Sequence, residues 1–155
     1  MARKRQYTAW AAALATAAEL SRRSYDVTIT FGNTPKVDLL CSVPDGKQFK
    51  VQVKGISSRN ALFIQKDFLE GTLEPNLFLV IVLLEDNKPF QFFIMTHAEA
   101  QDAWRATAYD STGSPVLVKR GRRKGLPTKE GCEGLLWGLF KNHENRWDKF
   151  PKNMQ

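Results

Sequence analysis

Residues 36–54, KVDLLCSVPDGKQFKVQVK, decide the fold. Val37, Leu39, Cys41 and Val43 are apolar at alternate positions, and so are Phe49, Val51 and Val53 after a break at Pro44-Asp45-Gly46. A period of two marks half-buried strands, and Pro-Asp-Gly between two such runs marks the turn that joins them. Asp38, Gln52 and Lys54 occupy the other phase. A carboxylate, an amide and an ammonium are therefore expected on one face of a strand pair whose opposite face is apolar.

Upstream, Tyr25 to Phe31 alternates in the same way, with Val27, Ile29 and Phe31 inward and Thr28 and Thr30 outward, and Gly32-Asn33-Thr34-Pro35 ends it. The three runs form an antiparallel meander. Before them, Thr8 to Arg23 is rich in Ala and Leu and free of Gly and Pro, which predicts a helix packed on the sheet. Glu19 is its one acid, placed to pair with Arg22 or Arg23. Arg3-Lys4-Arg5 reads as a charged, disordered end, and the Ala-rich run after it carries Glu19 and leads straight into Arg22-Arg23, which argues against a signal peptide.

Downstream, Ala61 to Ile64 reads as a short strand and Asp67 to Glu70 as a helical turn closed by Gly71. Leu77 to Leu84 is continuously apolar, as a strand buried on both faces requires, and it is too short to span a bilayer. Asn87-Lys88-Pro89 turns the chain into a strand from Phe90 to Met95. Thr96-His97-Ala98-Glu99 is a capping box that opens a helix to about Thr107, and it gives His97 a structural reason to be there. Residues 110–130 read as a long loop with a short strand at Val116 to Lys119, and the aromatic segments Leu135 to Phe140 and Trp147 to Phe150 are expected to pack on the core.

The chain has 155 residues, 43% hydrophobic and 25% charged, and no internal repeat, which fits one domain over 1–155. Its net charge of +7 favours an acidic polymer as partner. With only Cys41 and Cys132, and no paired Cys or His spacing, there is no zinc signature; Cys41, on the apolar phase, is expected to be a buried free thiol in a reducing, cytoplasmic compartment. Gly-rich phosphate loops are absent, which disfavours a nucleotide- or sugar-binding α/β domain. His143 with Asn145 lacks the second His that an HNH nuclease would need.

The order helix with Glu19, strand, strand with Asp38, strand with Gln52-Val53-Lys54 resembles the PD-(D/E)XK nuclease superfamily over about residues 8–56. Gln52 stands where the second acid usually is, a variant found among some intron-homing and transposon-end endonucleases, and Val37 rather than Pro precedes Asp38. The resemblance implies an α/β fold, a mixed sheet flanked by helices with a restriction-endonuclease-like core. It also implies an Mg²⁺-dependent DNA endonuclease, with Mn²⁺ able to substitute. Asp38 would be the direct metal ligand, the Val53 carbonyl and the Gln52 amide oxygen further ligands, and Glu19 a ligand through water or to a second ion. Lys54 would orient or deprotonate the attacking water or stabilise charge on the phosphate.

Lys119, Arg120, Arg122, Arg123 and Lys124, spaced by Gly121 and Gly125, suit a DNA phosphate clamp; a solvated surface loop would look the same. Paired cuts in two strands would call for a homodimer. The alternative function on the same fold is a catalytically weakened nucleic-acid-binding or interaction module, and the missing acid at position 52 is its support.

Overall fold

A computed structural model describes residues 2–30, 37–60, 62–108, 111–114, 116–117, 122, 124–125 and 133–152. The chain runs α1 (Ala2–Arg22), β1 (Asp26–Ile29), β2 (Leu39–Ser42), β3 (Gln48–Ile56), β4 (Leu62–Ile64), α2 (Lys66–Glu70), β5 (Leu77–Leu83), β6 (Gln91–Thr96), α3 (His97–Ala108), β7 (Glu133–Leu135) and α4 (Trp137–Phe140). Five strands form one sheet in the order β1-β2-β3-β5-β6, and β4 pairs with β7 in a separate two-stranded ribbon. The β1–β2, β2–β3 and β5–β6 pairs are antiparallel, whereas β3 and β5 run parallel. The fold is α/β with a mixed sheet and helices on both sides.

The meander forms for the reasons its residues suggest. Gly46 takes φ +91°, a conformation that costs a residue without Cβ little. Its N–H bonds the Val43 carbonyl, and the Lys47 N–H bonds the Asp45 carboxylate, closing the turn. Leu39 then faces Val51 and Cys41 faces Phe49. β5 is buried along its whole length. The capping box of α3 is made on both sides: the Thr96 N–H donates to Glu99 Oε2 at 2.8 Å, and the Glu99 N–H to Thr96 Oγ1 at 3.1 Å. His97 is buried, accepting at Nδ1 from the Glu74 N–H and donating from Nε2 to the Phe68 carbonyl, so it ties α2 and the following loop to α3.

Two apolar layers cover the sheet. On one face Ala12 and Leu20 of α1 pack with Leu39, Phe49, Val51, Val53, Val80 and Ile94. On the other, Leu79, Ile81, Phe93 and Met95 pack beneath α2, α3, β4 and β7. The C-terminal segment serves both layers. Phe140 joins the α3 side, while Phe150 stacks on Phe49 with ring centroids 5.2 Å apart on the α1 side. Lys149 is almost buried and locks this segment down, donating to the Ile94 carbonyl (2.9 Å), Glu99 Oε2 (2.7 Å) and His143 Nδ1 (2.6 Å). Burial pushes the Glu99 carboxyl up, but the hydrogen bonds from Lys149 and the Thr96 N–H outweigh it and hold the group below its ordinary value.

Several expectations need correction. The helix does not begin at Thr8: α1 takes in Arg3-Lys4-Arg5, so the charged end is helical. It stops at Ser24, φ +66°, where the Ser24 N–H returns to Ser21 and the Tyr25 N–H to Leu20, a Schellman ending. Strand β7 and the ribbon had no counterpart in the pattern, because a strand of only three residues, Glu-Gly-Leu, offers no period to read. As expected, Cys41 is a buried free thiol, and burial pushes its pKa up to about 12. Residues 31–36, Cys132, Val118, Lys119, Arg120, Gly121 and Arg123 lie outside the described residues.

At Gly55 the backbone of α1 approaches β3 closely. A Cβ built there would lie 2.7 Å from the Thr8 carbonyl oxygen and 3.0 Å from the Ala12 Cβ. Backbone oxygen on a packed helix has little room to retreat. Gly55→Ala is therefore expected to cost about 1–3 kcal/mol, as overpacking does. Thermal unfolding should register it as a melting point several degrees lower; an unshifted melting point would mean that α1 sits more loosely than this.

Candidate active site

Asp38 lies at a bend one residue before β2, and its main chain is held from both sides. Its N–H donates to the Val51 carbonyl (2.9 Å) and its carbonyl accepts from the Thr30 N–H (3.0 Å). The Thr30 hydroxyl adds bonds to the carbonyls of Val37 (2.6 Å) and Asp38 (3.2 Å). Thr30 thus positions Asp38. The signal for it was its place on the outward phase of β1, opposite Asp38. The Asp38 side chain does not stand off the sheet into solvent. It turns toward β3, where Oδ2 accepts the Val53 N–H at 2.7 Å. A carboxylate takes the place of a ladder partner there. In a strand the N–H and C=O of one residue point to the same edge, so the Val53 carbonyl shares the edge that Asp38 occupies.

The paired register ends at Leu39–Val51, and Asp38 just before it bonds the Val51 carbonyl through its N–H and the Val53 N–H through its carboxylate, which sets it beside the Gln52-Val53 segment of β3. Gln52 is level with Leu79 of β5, and Lys54 with Ile81, so both belong to the face covered by α2 and α3. Only the parallel crossover from β3 to β5 creates that cover. The even phase of β3 is consequently no solvent face: Gln52 is 5% exposed. Its amide oxygen is buried and has no hydrogen-bond partner among the described residues. Buried acceptors are nearly always satisfied, and an orphan one costs about 1–3 kcal/mol. Lys54 is half-buried, and no acid among the described residues pairs with it. On the same face, toward the other end of β2 and β3, a recess of about 570 Å³ opens between Thr28, Leu40, Lys50, Leu73 and Asn76.

Asp38, Gln52, Val53 and Lys54 are therefore brought together, and Glu19 is not. Glu19 sits on α1, across the sheet from Gln52 and Lys54. Its carboxylate is bound to Arg22 (2.9 Å) and Arg23 (3.5 Å), the local helical pairing that its spacing allowed. It lines a separate recess with Phe92 and Trp147, where the Arg23 guanidinium lies 4.5 Å over the Trp147 ring. Among the described residues no three His, Cys, Asp or Glu side chains converge as a metal cluster. The candidate donors are all oxygens: one carboxylate, one amide and one backbone carbonyl. Of the basic cluster, Arg122 and Lys124 are exposed in turns.

No protein-family model, curated protein or solved structure matches this chain. Among the described residues, no helix is long and apolar enough to cross a membrane.

Proposed function

We propose that this protein is a divalent-cation-dependent DNA endonuclease that hydrolyses phosphodiester bonds with Asp38, Gln52, Val53 and Lys54. The observation that carries the reading is the buried Gln52 oxygen, without a hydrogen-bond partner among the described residues, next to Val53, whose N–H holds the Asp38 carboxylate. A fold tolerates such an oxygen where a ligand completes it. All-oxygen donors suit a hard cation such as Mg²⁺ or Mn²⁺. The order of α1, β1, β2 with Asp38 at its mouth and β3 with Gln52-Val53-Lys54 supports the resemblance to the restriction-endonuclease-like core.

A cation held by the Asp38 carboxylate, the Gln52 amide oxygen and the Val53 carbonyl would supply positive charge against the developing phosphorane. The chain's own groups do the rest. The Val53 N–H fixes one Asp38 oxygen and leaves the other for the site. Lys54, with no acid partner among the described residues, orients the attacking water, takes up its proton or neutralises charge on the phosphate. With one carboxylate in place of three, the ion is held weakly and the DNA phosphate contributes to its binding. Lys119, Arg120, Arg122, Arg123 and Lys124 would clamp the DNA backbone.

The test is cleavage of duplex, single-stranded and branched DNA in Mg²⁺ or Mn²⁺. Nicking that chelation stops is the expected result. One observation favours the second reading, a nucleic-acid-binding module with a weakened site: Glu19 is occupied by Arg22 and Arg23, which leaves Asp38 as the one acid of the set. DNA binding without cleavage of any of these substrates would establish that reading.

A further inference from the structure

The sheet face that carries Gln52 and Lys54 is covered over β5 and β6, but it opens over β1 and β2, where Thr28 and Leu40 are exposed. There the cross-strand row Thr28, Leu40 and Lys50 forms the floor of the recess of about 570 Å³, and Asp26 stands in the next row. The other phase of these strands, with Leu39, Cys41 and Phe49, packs on the α1 side, so the recess and Gln52 share a face. Residues 73–76, which lead into β5, close one side of it.

That side is fixed from the core outward. The Glu74 N–H donates to His97 Nδ1 at 3.0 Å, and Gln101 Nε2 donates to the Gly71 carbonyl at 2.7 Å. The Lys50 N–H donates to the Asn76 carbonyl at 2.7 Å. His97 and Gln101 are buried, and satisfied polar groups in a core hold one geometry. Here they hold a loop whose side chains line a recess. Leu40 on the floor and Leu73 on the wall stay 44% and 48% exposed within a rim of polar groups, which is the make-up and the size of a ligand pocket.

Charge and position select the occupant. Asp26 and Glu74 bring carboxylates; Lys50 Nζ is held by Glu74 at 3.2 Å, and no cation among the described residues pairs with Asp26. A phosphate is repelled from such a recess, whereas a group that donates N–H is favoured. Lys50 precedes Gln52 by two residues, about 7 Å along β3. A stacked DNA strand advances about 3.4 Å per nucleotide, so a phosphate at Gln52-Val53-Lys54 brings a base one or two nucleotides away to the recess.

Resting on the nuclease reading above, we propose that this recess holds an unpaired base one or two nucleotides from the scissile phosphate and favours a base with an exocyclic amine. Leu40 and Leu73 meet the faces of the base, and Asp26 and Glu74 accept from its N–H edge. Cytosine, adenine and guanine carry such an amine and thymine does not. The base has to be out of the stack, because a pairing partner occupies that edge in a duplex. A basic peptide side chain would suit the acids, but the adjoining phosphate site favours DNA.

The experiment uses duplexes of one sequence with a single unpaired nucleotide, C, A, G, T or an abasic residue, and measures binding in chelator and cleavage in Mg²⁺. The wild type is expected to bind and cut the C, A and G substrates on the order of tenfold better than the T and abasic ones. The cut should fall one or two nucleotides from the unpaired position. Asp26→Ala should narrow the gap between amine-bearing bases and T. Leu40→Trp, which fills the recess, should bring every substrate to the level of the abasic one. Both positions are exposed, so both variants should melt with the wild type and still cut the abasic substrate. If Leu40→Trp melts lower, Asp26→Ala decides. Equal treatment of the five substrates, or a preference that survives both variants, would overturn the proposal. Equal treatment together with hexalysine binding that Leu40→Trp abolishes would assign the recess to a basic peptide instead. If duplexes are cut without regard to the unpaired nucleotide, this inference alone falls. If no DNA is bound or cut at all, the nuclease reading falls with it.

Discussion

Asp38→Asn and Lys54→Ala should each lower DNA cleavage by roughly 10²–10⁴-fold, the range expected when a group that acts on the water or the developing charge is removed. The choice of Asn is dictated by the structure. Asp38 also accepts the Val53 N–H, so Asp38→Ala would leave a buried donor unsatisfied at about 1–3 kcal/mol and confuse instability with lost chemistry. Asparagine keeps an oxygen for that N–H, and the loss of charge assistance should cost only about 1 kcal/mol. Lys54 has no acid partner among the described residues, so its removal leaves no carboxylate stranded. The measurement is single-turnover cleavage alongside thermal unfolding of each variant. Activity that survives both substitutions in folded protein would place the site elsewhere.

The local parts of this fold were legible because their physics is local. Pro44-Asp45-Gly46 needs only its own residues to turn, and Gly46 does adopt positive φ. Thr96 and Glu99 cap α3 across three residues, and the unbroken apolar run of β5 announces burial on both sides. Glu19 was ambiguous for the same reason. Its spacing offered a local pair with Arg22 and Arg23, and that pair forms. What the residues could not display was the parallel pairing of β3 with β5 and the layer of α2 and α3 above it. That layer turns Gln52 from a strand's surface residue into a buried one. The helical state of Arg3-Lys4-Arg5 was hidden by charge, since three like cations in sequence suggest a solvated tail. The helix continues through them because its Ala-rich body is anchored on the sheet by Ala12, Thr16 and Leu20.

Gln52→Met should make the protein more stable and the site inert. Methionine fills nearly the volume of glutamine, and it removes an acceptor that is buried without a partner among the described residues. Deleting such an orphan returns about 1–3 kcal/mol, which for a chain of this size raises the melting point by several degrees. Stability gained at a polar position in a core is the mark of a residue kept for function. The cation supplies the second half of the test. If the Gln52 oxygen is a ligand, Mn²⁺ should stabilise the wild type in proportion to its saturation, by about 1.4 kcal/mol at tenfold excess over the dissociation constant. Gln52→Met should lose that response together with cleavage. Gln52→Glu should begin less stable, because its carboxylate is buried, and should gain more from the ion than the wild type does, because a second negative charge attracts it at short range. Faster cleavage need not follow, since the same charge repels the phosphate. Thermal melts of the three proteins against Mn²⁺ read all of this without substrate. Equal, ion-independent melting of wild type and Gln52→Glu, with no gain in Gln52→Met, would remove Gln52 from the site and leave Asp38 and Lys54 without the ligand that joins them.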